Sequence, residues 1–358
     1  MKLIIQPDEG ITPVLSLIKA AKHSVSMTVF RFDRRDLEKE LKAAMGRGVK
    51  INALIACANH GGEKSLRNLE LRFLEAGASV ARTADDLIRY HDKVIVIDSR
   101  ILCVLSFNFT YLDIDRSRGF GIITKNKQWV LEATRLLDAD CKRAPYKCGS
   151  ATFVVSPFNA RRVLGDFLKK SRKQLLIYDP KISDREMIRI LRERQRAGVE
   201  IQVIGQSKAG LSVRGLPNMR LHTRTIIRDG AQAFIGSQSL RANELDARRE
   251  VGLIVRDAKI VNQLIATFQR DWKCATDQKA KRQADAAKEA EPPKADTEQA
   301  IKLLTKELHP ITTTVKKAVE KVVVQAGEEI LEDGEVRATV KKVIKKAVKQ
   351  AVKQAVQS

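Results

Sequence analysis

Short runs of β-branched and aliphatic residues alternate along this chain with stretches whose apolar positions recur every three to four residues. Residues 2–5, 24–32 and 50–55 read as strands, and residues 36–45 read as a helix. The same rhythm restarts near residue 150, with strands predicted at 152–156, 174–178 and 200–205 and a helix over 185–196. Alternation of this kind predicts an α/β fold. Further helices are predicted over 127–143 and 258–272, each following an apolar strand, "RGFGIIT" or "REVGLIV".

The restart is a duplication. "LKAAMGRGVKINALI" (41–55) answers "LRERQRAGVEIQVIG" (191–205), a helix closed by glycine and followed at once by a buried strand, with Gly48-Val49 and Gly198-Val199 150 residues apart. "YHDKVIVIDSRILCVLSFNFT" (90–110) answers "LHTRTIIRDGAQAFIGSQSLR" (221–241) at an offset of 131. After Trp272 the composition turns to Lys, Ala, Gln, Asp and Glu, with Pro292-Pro293, which reads as a solvated linker. The predicted organisation is a first lobe over 1–148, a second over 149–275, a charged linker over 276–298 and a helical tail over 299–358. In that tail, valines recur every three to four residues from Val336 to Val356 against six lysines between 341 and 353, the pattern of a basic amphipathic helix.

Charge narrows the partners. The 358 residues carry a net charge of +23, and residues 1–275 hold 49 basic against 30 acidic side chains, so the positive surface belongs mainly to the two lobes. Such a balance fits polyanions: nucleic acid, acidic lipid headgroups or phosphate esters. The five cysteines are scattered and form no C-x-x-C pair, which suggests neither a disulfide framework nor a zinc ribbon. A reduced, cytoplasmic setting is the simplest expectation. No apolar run approaches 18 residues, and the apolar patch after Met1 is too short for a signal-peptide core, so no transmembrane segment is predicted.

The chemistry sits in the repeat. His91, Lys93 and Asp98 form a His-x-Lys-x4-Asp motif, and His222, Arg224 and Asp229 repeat it with arginine for lysine. If each motif lies on a strand, the alternation puts His91 with Lys93, and His222 with Arg224, on one face. Ser106 and Asn108 follow the first motif at the spacing at which Ser237 and Ser239 follow the second, on what is predicted to be a returning hairpin strand. Cleaving a phosphodiester requires a nucleophile, a proton donor for the leaving oxygen and cations for the non-bridging oxygens. Two imidazoles fill the first two roles, Lys93 and Arg224 the third, and Ser106, Ser237 and Asn108 add neutral donors. No metal or cofactor is required. His60, in a polar glycine-rich loop after a predicted strand, is a candidate substrate contact.

These motifs resemble those of the phospholipase D superfamily, whose hallmark is a pair of H-x-K-x4-D motifs, each followed by S-x-N. The resemblance covers residues 1–275 and implies two α/β lobes, each an αβαβα sandwich, in a pseudo-twofold arrangement with one active site between them. It further implies a ping-pong reaction through a phosphohistidine, with His91 as nucleophile and His222 as general acid. Asp98 and Asp229 read as braces for the hairpins. The chain departs from the pattern at Arg224 and Ser239, and at Gly119, where the second half has Glu250 to orient an imidazole. Members of the superfamily act on phospholipids or on nucleic acids. The favoured reading is a phosphodiesterase that hydrolyses or transfers phosphatidyl groups, acting on phospholipid at an anionic membrane surface. A nuclease using the same two histidines, and a catalytically impaired binding protein of the same fold, are the alternatives.

Overall fold

The computed structural model describes residues 1–57, 63–207 and 210–277, with the side chains of residues 63, 276 and 277 excepted. His60, most of the predicted linker and the predicted tail lie outside the described residues. The described residues fall within one compact unit, Met1–Arg282.

The strands are β1 (Lys2–Gln6), β2 (Ser24–Val29), β3 (Lys50–Ile55), β4 (Ser79–Arg82), β5 (Arg89–Tyr90), β6 (Val94–Ile97), β7 (Ile101–Leu105) and β8 (Ser117–Thr124), then β9 (Phe153–Ser156), β10 (Gln174–Ile182), β11 (Glu200–Ser207), β12 (Ser212–Gly215), β13 (Arg220–Leu221), β14 (Arg224–Arg228), β15 (Gln232–Gly236), β16 (Arg248–Val255) and β17 (Thr276–Asp277). The helices are α1 (Thr12–Ala20), α2 (Arg35–Gly46), α3 (Glu63–Glu75), α4 (Tyr111–Asp115), α5 (Lys127–Lys142), α6 (Ala160–Lys169), α7 (Arg185–Arg196), α8 (Ala242–Asp246) and α9 (Ala258–Cys274).

Two sheets carry the duplication. The first runs β1-β8-β7-β6-β2-β3-β4, and the second repeats that order as β9-β16-β15-β14-β10-β11-β12, with β17 added at its far edge. In both, two central parallel strands (β2 with β3, β10 with β11) meet an antiparallel hairpin. Helices begin where short polar side chains satisfy free amides: Asn126 accepts from the Trp129 amide at α5, Asp184 from Met187 at α7 and Asp257 from Ile260 at α9. Gly48 and Gly198, at φ +86° and +84°, let the chain reverse after α2 and α7 and enter the next strand, a conformation that other residues adopt only under strain.

Burial divides into three cores. One packs α1, α2 and α3 on the outer face of the first sheet, around Met27, Leu41, Ile51 and Phe73. Its counterpart packs α6 and α7 on the second sheet, around Leu164, Ile177, Met187 and Val203. The third is shared: Val94, Phe120 and Leu136 from the first half pack in one cluster with Phe153, Tyr178, Leu253 and Phe268 from the second. The lobes are therefore welded by apolar surface, with α5 and α9 in the layer between the sheets.

Strand exchange strengthens the weld. β5, from the first half, pairs in parallel with β16 of the second, and β13, from the second half, pairs in parallel with β8 of the first. This overturns one expectation. Residues 91–93 and 222–223 lie on no strand, because the chain there leaves the edge of one sheet and enters the hairpin of the other. Ser106 and Asn108 likewise stand just past the end of β7, and Ser237 and Ser239 just past β15, rather than on the returning strands.

Candidate active site

The two crossovers set the motif histidines at the seam between the lobes. The His91 amide donates to the Arg249 carbonyl at 2.8 Å, and the amides of His222 and Thr223 donate to the Arg118 carbonyl at 3.1 and 3.0 Å. Arg118 and Arg249 are themselves 131 residues apart, so each histidine hangs from the equivalent strand of the opposite lobe. Beneath them the arginine side chains pair across the seam, Arg118 with Asp271 of α9 and Arg249 with Asp140 of α5.

Lys93 and Arg224 repeat the symmetry by another route. Lys93 Nζ donates to the His91 carbonyl, and Arg224 Nη1 donates to the His222 carbonyl at 2.8 Å. Each cation is thus folded back under its own histidine. Lys93 is 1% exposed and Arg224 9%, and burial drags the Lys93 ammonium down to about 7. Phe30 completes the wall, edge-on to the His91 ring at a centroid distance of 4.6 Å, with Lys93 over its face.

The imidazoles differ in their carboxylates. His91 Nδ1 lies 3.0 Å from both oxygens of Glu250, a fully buried residue of β16. A proton on Nδ1 is thereby directed at the carboxylate, and the lone pair is left on Nε2. Position 119 offers His222 no such partner. A Cβ built there would meet Phe107 Cδ1 at 2.9 Å, so Phe107 occupies the space a side chain at 119 needs. Asp113 of α4 approaches His222 instead, with Oδ2 3.5 Å from Nε2.

Burial depresses both imidazoles well below their usual range; Lys93 and Arg224 push His91 the same way, and at His222 Asp113 is the main opposing charge. Asp113 is driven down to about 2: burial resists, but His222, Arg220 and the Asn108 hydrogen bonds prevail. Burial raises the Glu250 carboxyl against the pull of Lys93, Arg248 and Arg224.

The remaining predicted residues fall into two groups. Asn108 donates from its amide and from Nδ2 to Asp113, and Ser239 donates from its amide to Glu244 at 2.7 Å and from its hydroxyl to Asp179. Ser106 Oγ accepts from the Phe120 amide, and Ser237 Oγ from the Val251 amide. Asp98 and Asp229 follow the far ends of β6 and β14. Each sits at the tip of its hairpin at positive φ and accepts the three amides of residues 22–24 or 172–174. Asp113 and Glu244, which the motif reading passed over, are 131 residues apart. That spacing, joining two acidic residues on equivalent short helices, is the signal that finds them.

Three buried polar atoms of this site, Asn108 Oδ1, His222 Nδ1 and Arg224 Nε, have no hydrogen-bond partner among the described residues. Buried groups of this kind are ordinarily satisfied, so the arrangement suits a polar ligand. Among the described residues no group of three His, Cys, Asp or Glu could hold a metal ion.

The family model described as "Cardiolipin synthase, PLD-like domain" matches residues 14–141 and 164–272. The chain belongs to the phospholipase D superfamily. Members of the superfamily are in general phosphodiesterases or phosphotransferases. Among solved structures, this phospholipase D-like chain is similar to a polyphosphate kinase from Porphyromonas gingivalis, with a TM-score of 0.65 and 18% identity over 76% of this chain. The match spans 50% of that kinase. It is also similar to a phosphatidylserine synthase from Haemophilus influenzae, with a TM-score of 0.57, 11% identity and coverage of 76% of this chain and 85% of that one. At such identities the likeness is one of fold. A search of the curated proteins gives no match. Among the described residues, no helix is long and apolar enough to cross a membrane.

Proposed function

We propose that the protein cleaves or exchanges phosphodiesters of phospholipid headgroups through a covalent phosphohistidine on His91. The observation that carries this is the Glu250–His91 hydrogen bond, which leaves Nε2 free as a nucleophile beside two buried cations. In the first step Nε2 bonds to phosphorus as the P–O bond to the leaving alcohol breaks, and His222 gives that oxygen its proton. In the second step water or another alcohol attacks phosphorus and hands its proton to His222. The P–N bond breaks and both imidazoles return to their starting state. Lys93 and Arg224 hold the non-bridging oxygens, Asn108 and Ser239 shape the rim, and Ser106 and Ser237 tie that rim to β8 and β16. The lobes, 1–148 and 149–275, contribute one half-site each.

The match to a cardiolipin synthase-type model supports phospholipid as the substrate class. The excess of 49 basic over 30 acidic residues in 1–275 supports nucleic acid as the second reading. Headgroup release from mixed phosphatidylcholine/phosphatidylglycerol vesicles in EDTA tests the first. Release by wild type, absent in His91→Ala and His222→Ala, is the expected result. No release above the variants, together with plasmid cleavage that needs both histidines, replaces the lipid with DNA.

A further inference from the structure

The pseudo-twofold leaves one imidazole without its counterpart carboxylate. Glu250 serves His91 from β16, and at the equivalent place on β8 stands Gly119, walled off by Phe107. In the second lobe Gln238 takes the Phe107 position and turns away, donating to the Val154 carbonyl at 3.1 Å. The first lobe thus offers no side chain at position 119 with which β8 could reach the His222 imidazole.

We propose that Asp113 is the positioning carboxylate of His222, replacing from α4 what β8 does not provide. This rests on the assignment of His222 as the proton donor. Three donors hold Asp113 in place: the Asn108 amide at 2.9 Å, Asn108 Nδ2 at 2.6 Å and the Arg220 guanidinium. Its own amide donates to Thr110 Oγ1 at 3.2 Å, which seats it in the first turn of α4. Oδ2 then faces His222 Nε2 at 3.5 Å, and both side chains are withdrawn from water, at 2% and 5% exposure.

Comparison with Glu244 shows that this is more than loop bracing. Both carboxylates accept the amide of the residue at the end of the S-x-N or S-x-S pair. Glu244 is then drawn among Arg224, Arg241 and Arg248, at 3.7, 3.6 and 3.4 Å. Asp113 pairs with Arg220 through Oδ1, and its Oδ2, which accepts both Asn108 hydrogen bonds, also faces the imidazole. An ionised carboxylate there opposes the burial that strips His222 of its proton, as a general acid in a dry site requires. It stays ionised while His222 passes its proton to the leaving oxygen.

The test is an NMR titration of the two imidazoles in full-length protein with labelled histidine, alongside the pH–rate profile. In Asp113→Asn the His222 midpoint is expected to fall by a unit or more while His91 moves little. The basic limb of the rate profile moves to lower pH, kcat drops about 10- to 100-fold at little change in KM, and Asp113→Glu brings the limb back. A folded Asp113→Asn protein with an unmoved His222 midpoint, or a uniform rate loss with an unmoved limb, overturns the proposal. If Asp113→Asn does not fold, wild type decides: the Asp113 carboxyl 13C signal must shift at the His222 midpoint, and its failure to do so is equally fatal. The titration needs no turnover, so an inactive wild type would sink the proposed function and leave this pairing still testable.

Discussion

Arg118 and Asp271 close a two-pronged ion pair across the lobe seam, with Nε and Nη2 at 2.8 and 2.9 Å from the two carboxylate oxygens, and the carbonyl of the same arginine suspends His222. Tyr178 adds a hydroxyl to Asp271 at 2.7 Å. Asp271→Ala leaves the buried Arg118 guanidinium to the Gln6 carbonyl at 2.6 Å and to Asp8 at 3.7 Å, and loss of the main buried counter-ion costs about 3–5 kcal/mol in comparable pairs. Urea unfolding of the variant is expected to show a loss of that size. A loss under 1 kcal/mol would mean that water reaches Arg118.

The matching pair on the other side, Arg249 and Asp140, behaves differently with pH. Burial lifts the Asp140 carboxyl from 3.8 to about 7, and neighbouring Asp92 adds to the lift while Arg249 opposes it. A raised folded-state value means that the native protein holds this proton where the unfolded chain releases it. The contribution is fully present below about 4 and is lost as pH rises through 7. Subtracting the stability of Asp140→Asn from that of wild type across pH 4–8 should give a difference that declines over this window. A flat difference would place the carboxylate in water.

The two histidines should part company on a substrate whose leaving group needs no proton. His91→Ala removes the proposed nucleophile and is expected to abolish turnover of every phosphodiester. His222→Ala should cost about 10²–10⁴-fold with an alkyl leaving group and far less with p-nitrophenolate. Rates on both kinds of ester, with EDTA present throughout, make the comparison. Equal losses on both esters would reverse or dissolve the assignment.

Lys93 sets a pH limit of its own on anion binding. Its ammonium is held down to about 7 by burial, so the site sheds a cation as pH rises through neutrality. Affinity for inorganic phosphate, read by calorimetry, is expected to weaken between pH 6 and 8 by roughly the tenfold that a buried charge contributes. In Lys93→Met the affinity should be low and this dependence shallower. A slope as steep in the variant as in wild type would assign the effect to another group.

Much of this architecture is legible in the residues. The β3 and α7 ranges coincide with the predicted segments, and the offset of 131 carries each catalytic candidate of the first motif onto its partner. What pattern could not convey was exchange between sheets. Residues 91–93 alternate like a strand, yet they are the crossing point, because β5 finds its hydrogen bonds on β16. Short α4 and α8 have too few turns for periodicity to show, and Asp113 and Glu244 were hidden with them. Which imidazole Glu250 serves was also unreadable, since the contact joins residues 159 apart.

The reciprocal strands bear on how two half-sites can differ. In a symmetric pair of identical chains, every substitution is written twice, so a change that suits one histidine is imposed on the other. Here β5 and β13 interlock two halves encoded separately within one polypeptide. Lysine can stand opposite arginine, and glycine opposite glutamate, without compromise. Each imidazole is free to be tuned for one of the two proposed tasks, bond formation at phosphorus or custody of a proton, and the covalent join is what permits such a division of labour.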